Sequence, residues 1–170
     1  MLGLKRGTVK LVKHNLKWRQ SFEREAKKLR KVFGREALAI QHVGSTAIPG
    51  ILTKPIIDIV LVVPLLQKAK RYVNKLKAIG YALKKNDTKE ERLFFTKGPE
   101  KKRTHYLHIG EINSGYAEKM IFFRDYLRQH KDTAKKYSEL KENLAKKYSD
   151  DREIYTTRKT KLIEKIVEKR

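Results

Sequence analysis

The chain has 170 residues, 39% hydrophobic and 36% charged, which suits one globular domain with its own core and excludes a disordered tail. It has no cysteine, which excludes a disulfide framework and a thiolate zinc site. Forty-two Lys and Arg against 19 Asp and Glu give a formal charge of +23, a field that draws phosphates of nucleotides, nucleic acid or anionic lipid. Lysine is scattered over nearly every segment and far outnumbers arginine, the residue of bidentate phosphate and groove recognition, so a solvated surface explains most of that charge. Binding of nucleic acid is then expected to be non-specific. The N-terminal "MLGLKRGTVKLVKHN" has no continuous apolar stretch, and the longest apolar run, "IVLVVPLL", is too short to cross a bilayer. The expectation is a soluble, cytoplasmic protein with no membrane partner.

In chain order, the first element is a helix through "KWRQSFEREAKKLRKVFG". Trp18, Phe22, Ala26, Leu29 and Phe33 recur at helical spacing, and Gly34 ends it. A strand, "ALAIQHV", breaks at Gly44 into a turn or short helix, "GSTAIPG". The strand "PIIDIVLVV" begins after Pro55. From Pro64 a helix carries Leu65, Ala69, Tyr72 or Val73, Leu76 and Ile79 on one face, closed by Gly80. Three strand-like pieces follow, "YALKK", "RLFFTK" and "THYLHI". Three helices occupy the rest. Met120, Phe123 and Leu127 mark the first; Tyr137, Leu140 or Lys141, Leu144 and Tyr148 mark the second. The third opens at a capping box of Asp150 and Glu153 and buries Tyr155, Leu162 and Ile166. No repeat or linker divides residues 1–170, so the reading is a single α+β domain: a mixed β-sheet packed with helices and a helical C-terminal third.

Asp58 stands inside an apolar strand, where a carboxylate is costly unless a cation or several donors compensate it. Upstream, Gly44 permits close backbone approach, and Ser45 and Thr46 offer hydroxyls and backbone N–H groups at a helix start, a phosphate cradle. Lys54 adds a point charge between the two. Asp58 is then placed to hold a divalent cation against the same phosphates. The alternative is structural, an ion pair with Arg92, Arg103 or Arg124.

The pieces "WRQSFEREAKKL", "IQHVGSTAIPGILTKPIIDIVLVV", "RTHYLHI", "FFRDYLRQHKDTAKKYSELKENLA" and "DDREIYTTRKTKLI" run in this order over nearly the whole chain. In them the chain resembles the GrpB-like family of the nucleotidyltransferase superfamily. The resemblance implies a nucleotidyltransferase-like fold and a nucleotide or phosphorylated small molecule as partner. It also implies Mg²⁺ or Mn²⁺ as cofactor, with Asp58 as the catalytic acid.

Active members of that superfamily place two acids one residue apart on the strand; here the second position is Val60. Imidazole can replace carboxylate as a ligand, so His108 is the expected second metal ligand, with His42 or His105 at the periphery. His105 and His108 point to opposite faces of a strand. Arg92 and Arg103 flank the last two strands and could bind triphosphate oxygens; Tyr155 and Lys159, four apart on one helix, reach the rim. Three functions compete: a nucleotidyltransferase, a binding module that has lost the metal pair, and a basic RNA-binding protein.

Overall fold

The computed structural model describes residues 2–170. The first helix, α1 (Lys17–Phe33), ends as its sequence predicts: Gly34 takes φ 56° and its N–H bonds back to Arg30 O. Five strands follow in chain order, β1 (Ala39–Val43), β2 (Ile57–Val63), β3 (Tyr81–Leu83), β4 (Arg92–Lys97) and β5 (His105–Glu111). They form one mixed sheet in the order β1-β2-β5-β4-β3, with β2 and β5 parallel and the other neighbours antiparallel. Between β2 and β3 lie α2 (Leu66–Ala69) and α3 (Val73–Ala78); after β5 come α4 (Tyr116–Gln129), α5 (Lys131–Lys147) and α6 (Arg152–Val167).

The period of two along β2 divides the core. Ile57, Ile59, Leu61 and Val63 face Trp18, Leu29 and Phe33 of α1 and Leu76 of α3, all buried. Each such side chain contributes about 1.5–3 kcal/mol on burial. Val60 and Val62 face the opposite way, against Ala117 of α4. Asp58 shares that second face and is the half-buried exception in a strand otherwise fully buried. The C-terminal helices form their own cluster, in which Phe123, Leu127, Ala134, Tyr137 and Ile166 pack on Ile48 and Ile51.

Several boundaries differ from the sequence reading, among them the start of β2 at Ile57 and the end of β5 at Glu111. The strand predicted from Ala37 starts at Ala39, because Gly34–Glu36 form a 3-10 turn first. The strand predicted over "YALKK" stops at Leu83, where Lys85–Asp87 turn. The helix predicted from Leu65 to Ile79 is broken by a 3-10 turn at Lys70–Tyr72, next to the packing of the Tyr72 ring on Phe33 at 4.3 Å. The cap of α6 is Asp151 rather than Asp150: Asp151 Oδ1 accepts from Ile154 N–H at 3.0 Å, while Asp150 accepts from Ser149 Oγ.

Candidate functional site

Strand register sets the floor of the site. Val43 of β1 and Tyr106 of β5 flank Asp58 of β2, and His108 lies two residues beyond Tyr106, so Asp58, Tyr106 and His108 share one face. At the end of β1 the chain turns through Gly44, with φ 68° and ψ −173°. A Cβ there would lie 2.5 Å from Asp58 Oδ2, so both the conformation and the contact require glycine. Ser45–Ala47 then form a 3-10 turn over the same end of the sheet.

Above this floor is a pocket of about 940 Å³, walled by α4, α5 and α6. Six cations line it, Lys54, Lys119, Lys141, Arg152, Lys159 and Arg170, and four of them lie against aromatic rings. Lys54 Nζ lies 5.1 Å from the centroid of the Tyr155 ring and Lys159 Nζ 4.7 Å from the same ring. Lys141 Nζ is 4.6 Å from the Tyr137 ring, and the Arg152 guanidinium is 5.2 Å from the Tyr106 ring. Lys141 is buried in the helix stripe and donates to Ser45 Oγ at 3.2 Å and to Leu52 O. Among the described residues none of the four makes a salt bridge. Of the acids in the lining, Asp58, Glu164 and Glu168, Asp58 is the one whose charge acts on Lys54 and Lys159.

Their ionisation follows from that shortage of acids. Burial, with Lys159 nearby, pushes Lys141 down to about 7. Burial pushes Lys159 down to about 8, against the pull of Asp58. Lys54 falls well below its usual value through burial and the charges of Lys159 and Arg152. Tyr137 is pushed up to about 12 by burial. The Tyr155 hydroxyl is fully buried and has no hydrogen-bond partner in the fold.

His108 is held differently. Arg92 Nη1 lies 2.8 Å from its Nδ1, and Tyr116 OH 3.0 Å. Arginine can only donate, so Nδ1 accepts and Nε2 carries the proton. That Nε2–H points to Asp58 Oδ1 at 3.7 Å. His108 therefore faces Asp58 as a donor. Its pKa lies below the usual imidazole value because burial outweighs the contact with Asp58.

No three His, Cys, Asp or Glu side chains among the described residues come together in a way that could hold a metal ion. On the sheet floor one carboxylate, a protonated imidazole nitrogen and a buried Val60, with three lysines beside them, do not fit a resident Mg²⁺ or Mn²⁺. They fit an anion.

The pocket brings together Gly44, Ser45, Lys54, Asp58, His108, Tyr155 and Lys159 of the residues singled out in the sequence. Others lie elsewhere. Thr46 gives its hydroxyl to His42 Nε2 at 3.0 Å, and His42 stacks on Phe22 of α1. Both line a second hollow of about 1200 Å³ on the far side of the turn. His105 sits on the α1 face of the sheet, where burial lowers it to about 4. Arg103 is tied to Gly98 O and to Glu100 at 3.5 Å. Arg92 stands behind His108, outside the pocket lining.

Asp58 pairs with none of the arginines weighed for it. Arg124 instead binds Asp125, Gln41 and His42 O. Sequence reasoning missed Lys141 and Arg152 as pocket residues. The signal for Lys141 was its place in the stripe Tyr137, Lys141, Leu144, Tyr148, where a buried lysine needs a reason.

The GrpB protein family model matches residues 8–169. A UPF0157 protein of Pseudomonas aeruginosa is 39% identical over 153 residues, 88% of this chain but 62% of that protein's length. The glutamate-rich protein GrpB of Alkalihalophilus pseudofirmus is 38% identical over 98% of both chains. Among solved structures, the conserved protein GrpB from Enterococcus faecalis superposes with a TM-score of 0.85 at 29% identity, covering 94% of this chain and 98% of that one. Cid1 poly(U) polymerase with MgGTP bound gives 0.54 at 15% identity over 79% of this chain and 44% of Cid1, a likeness of fold.

Proposed function

The chain belongs to the GrpB family, and on that footing we propose that it binds a nucleotide or another phosphorylated small molecule in the pocket between Ser45, Asp58 and the three C-terminal helices. One observation carries this reading: the six cations of the lining outnumber its three carboxylates, and Lys54, Lys141, Lys159 and Arg152 make no salt bridge to offset them. Evolved interiors pair buried charges, and an unpaired cluster stores an attraction for an anion. The apolar wall of Met120, Phe123, Ile163 and Val167 suits the base or other organic part of such a ligand. Nucleic acid meets this protein through its general +23 charge, and such binding is weak, sequence-blind and steeply salt-dependent.

A thermal-shift panel tests the reading. Phosphorylated compounds at 100 times their Kd add about 2.7 kcal/mol to stability, whereas the matching nucleosides without phosphate add nothing. Failure of every nucleoside triphosphate, nucleoside monophosphate and sugar phosphate to move Tm would defeat it.

A second reading, a nucleotidyltransferase in which an acceptor attacks the α-phosphorus and pyrophosphate leaves, is favoured by the place of Asp58 on β2 and by the likeness of fold to Cid1. Release of pyrophosphate from a nucleoside triphosphate by the purified chain would establish it. Its absence across acceptors leaves the binding module.

A further inference from the structure

Four of the pocket cations are seated on rings rather than on carboxylates. Tyr155 is shared by Lys54 and Lys159, Tyr137 carries Lys141, and Tyr106 carries Arg152. A ring face attracts a cation without cancelling its charge. The six cations of the lining, with Lys119 and Arg170 counted, less the carboxylates of Asp58, Glu164 and Glu168 leave a formal excess of three positive charges when all are ionised. A free divalent ion entering that field is repelled, and only one carboxylate awaits it on the sheet floor. Val60 fills the place where a second acid would stand, and it is fully buried against α4. Independently, Tyr155 presents a buried hydroxyl with no partner in the lining of the same pocket. An orphaned donor is costly, and a ligand oxygen removes that cost.

We propose that the pocket takes a polyphosphate group as the metal-free anion, with Lys54, Lys141, Lys159 and Arg152 supplying the charge a divalent ion would otherwise bring and the Tyr155 hydroxyl donating to a phosphate oxygen. This rests on the phosphate-ligand reading above and deepens it. It reverses the role of Asp58. The carboxylate that a metal site would need becomes, on the floor of the pocket, a group that opposes the ligand. Its place is to hold Lys54 and Lys159 charged while the pocket is empty, since Asp58 raises the pKa of each.

The test is calorimetric titration of inorganic tripolyphosphate and of ATP into the full chain at physiological salt, once in EDTA and once in excess Mg²⁺. Both bind in EDTA, and Mg²⁺ weakens them by neutralising the polyphosphate. Asp58→Asn tightens tripolyphosphate about tenfold, the order expected when one like charge at close range is removed. Lys159→Met weakens it about tenfold or more, while Lys27→Met with Lys31→Met, on the exposed side of α1, changes nothing. Tyr155→Phe keeps the fold and loses several-fold in affinity.

Binding seen only with Mg²⁺, or abolished by Asp58→Asn, would overturn the metal-free proposal and leave the phosphate pocket standing. Binding indifferent to Lys159→Met would place the anion on the general basic surface and overturn both. No binding of either compound in either buffer would likewise overturn both.

Discussion

On the α1 face of the sheet one buried carboxylate answers two lysines directly; on the α4–α6 face six cations share a pocket with three carboxylates, and among the described residues none of the six makes a salt bridge. Glu25 of α1 accepts from Lys97 at 2.7 Å, from Lys28 at 2.9 Å and from the Tyr81 hydroxyl at 3.1 Å. Burial alone would raise its pKa, yet Lys97 and Lys28 hold it below the usual value. Glu25, Lys97, Lys28 and Tyr81 each have a partner there. Lys54, Lys141 and Lys159 have the reverse character: their pKa values fall because burial outweighs the pull of Asp58 on Lys54 and Lys159 and meets no acid at Lys141. The same chemistry, lysine near carboxylate, serves the fold on one face and leaves a vacancy of negative charge on the other. Direct pairing decides which.

The largest effect that separates the two faces is expected at Glu25. Glu25→Ala strands Lys97 beside the sheet and should lose about 3 kcal/mol or more in urea denaturation, as removal of one partner of a buried pair does. Binding of tripolyphosphate by the folded variant should be unchanged. A loss of binding with no loss of stability would erase the distinction between the faces.

Lys141→Met should act in the opposite direction. Its ammonium is buried without a carboxylate, so an apolar isostere should raise the stability of the ligand-free protein by about 1–2 kcal/mol near pH 6. The sign of the pH dependence follows from linkage. Lys141 titrates at about 7 in the fold and near 10.4 in the unfolded chain. Between those values the unfolded state binds more protons, so wild-type stability rises with pH through that window. The advantage of the methionine variant should shrink from pH 6 to pH 9. An advantage that is constant or grows with pH would mean that Lys141 is not desolvated.

Ser45→Ala should be the smallest change, within about 0.5 kcal/mol in thermal melts, as substitutions away from cores and buried pairs are. The hydroxyl gives one acceptor to Lys141, which keeps Leu52 O. A large destabilisation would make the Gly-Ser turn a structural joint.

Much of the fold could be read from local pattern. The alternation along "IIDIVLVV" places Asp58 opposite Ile57 and Ile59, and the three-residue offset of His105 from His108 sends them to different faces, as the register shows. Gly44 could be singled out from its position, although the reason, a Cβ that would strike the Asp58 carboxylate, depends on a contact 14 residues away in sequence. The helical third of the pocket was less legible. Helical spacing admits either Leu140 or Lys141 to the α5 stripe, and leucine is the ordinary core residue. The choice of Lys141 rests on acceptors 89 and 96 residues away. Arg92 and Arg103 misled because a strand end shows where a guanidinium starts and not where it is spent. One is consumed by His108 and Tyr116, the other by Gly98 and Glu100.

The most direct measurement is NMR titration of the lysine ε-methylene carbons of Lys141 and Lys159, assigned through Lys141→Met and Lys159→Met, with and without inorganic tripolyphosphate in EDTA. The account predicts midpoints near about 7 and about 8 in the empty protein, and an upward move of both once the anion is bound. Midpoints close to the ordinary lysine value that stay in place when tripolyphosphate is added would contradict it.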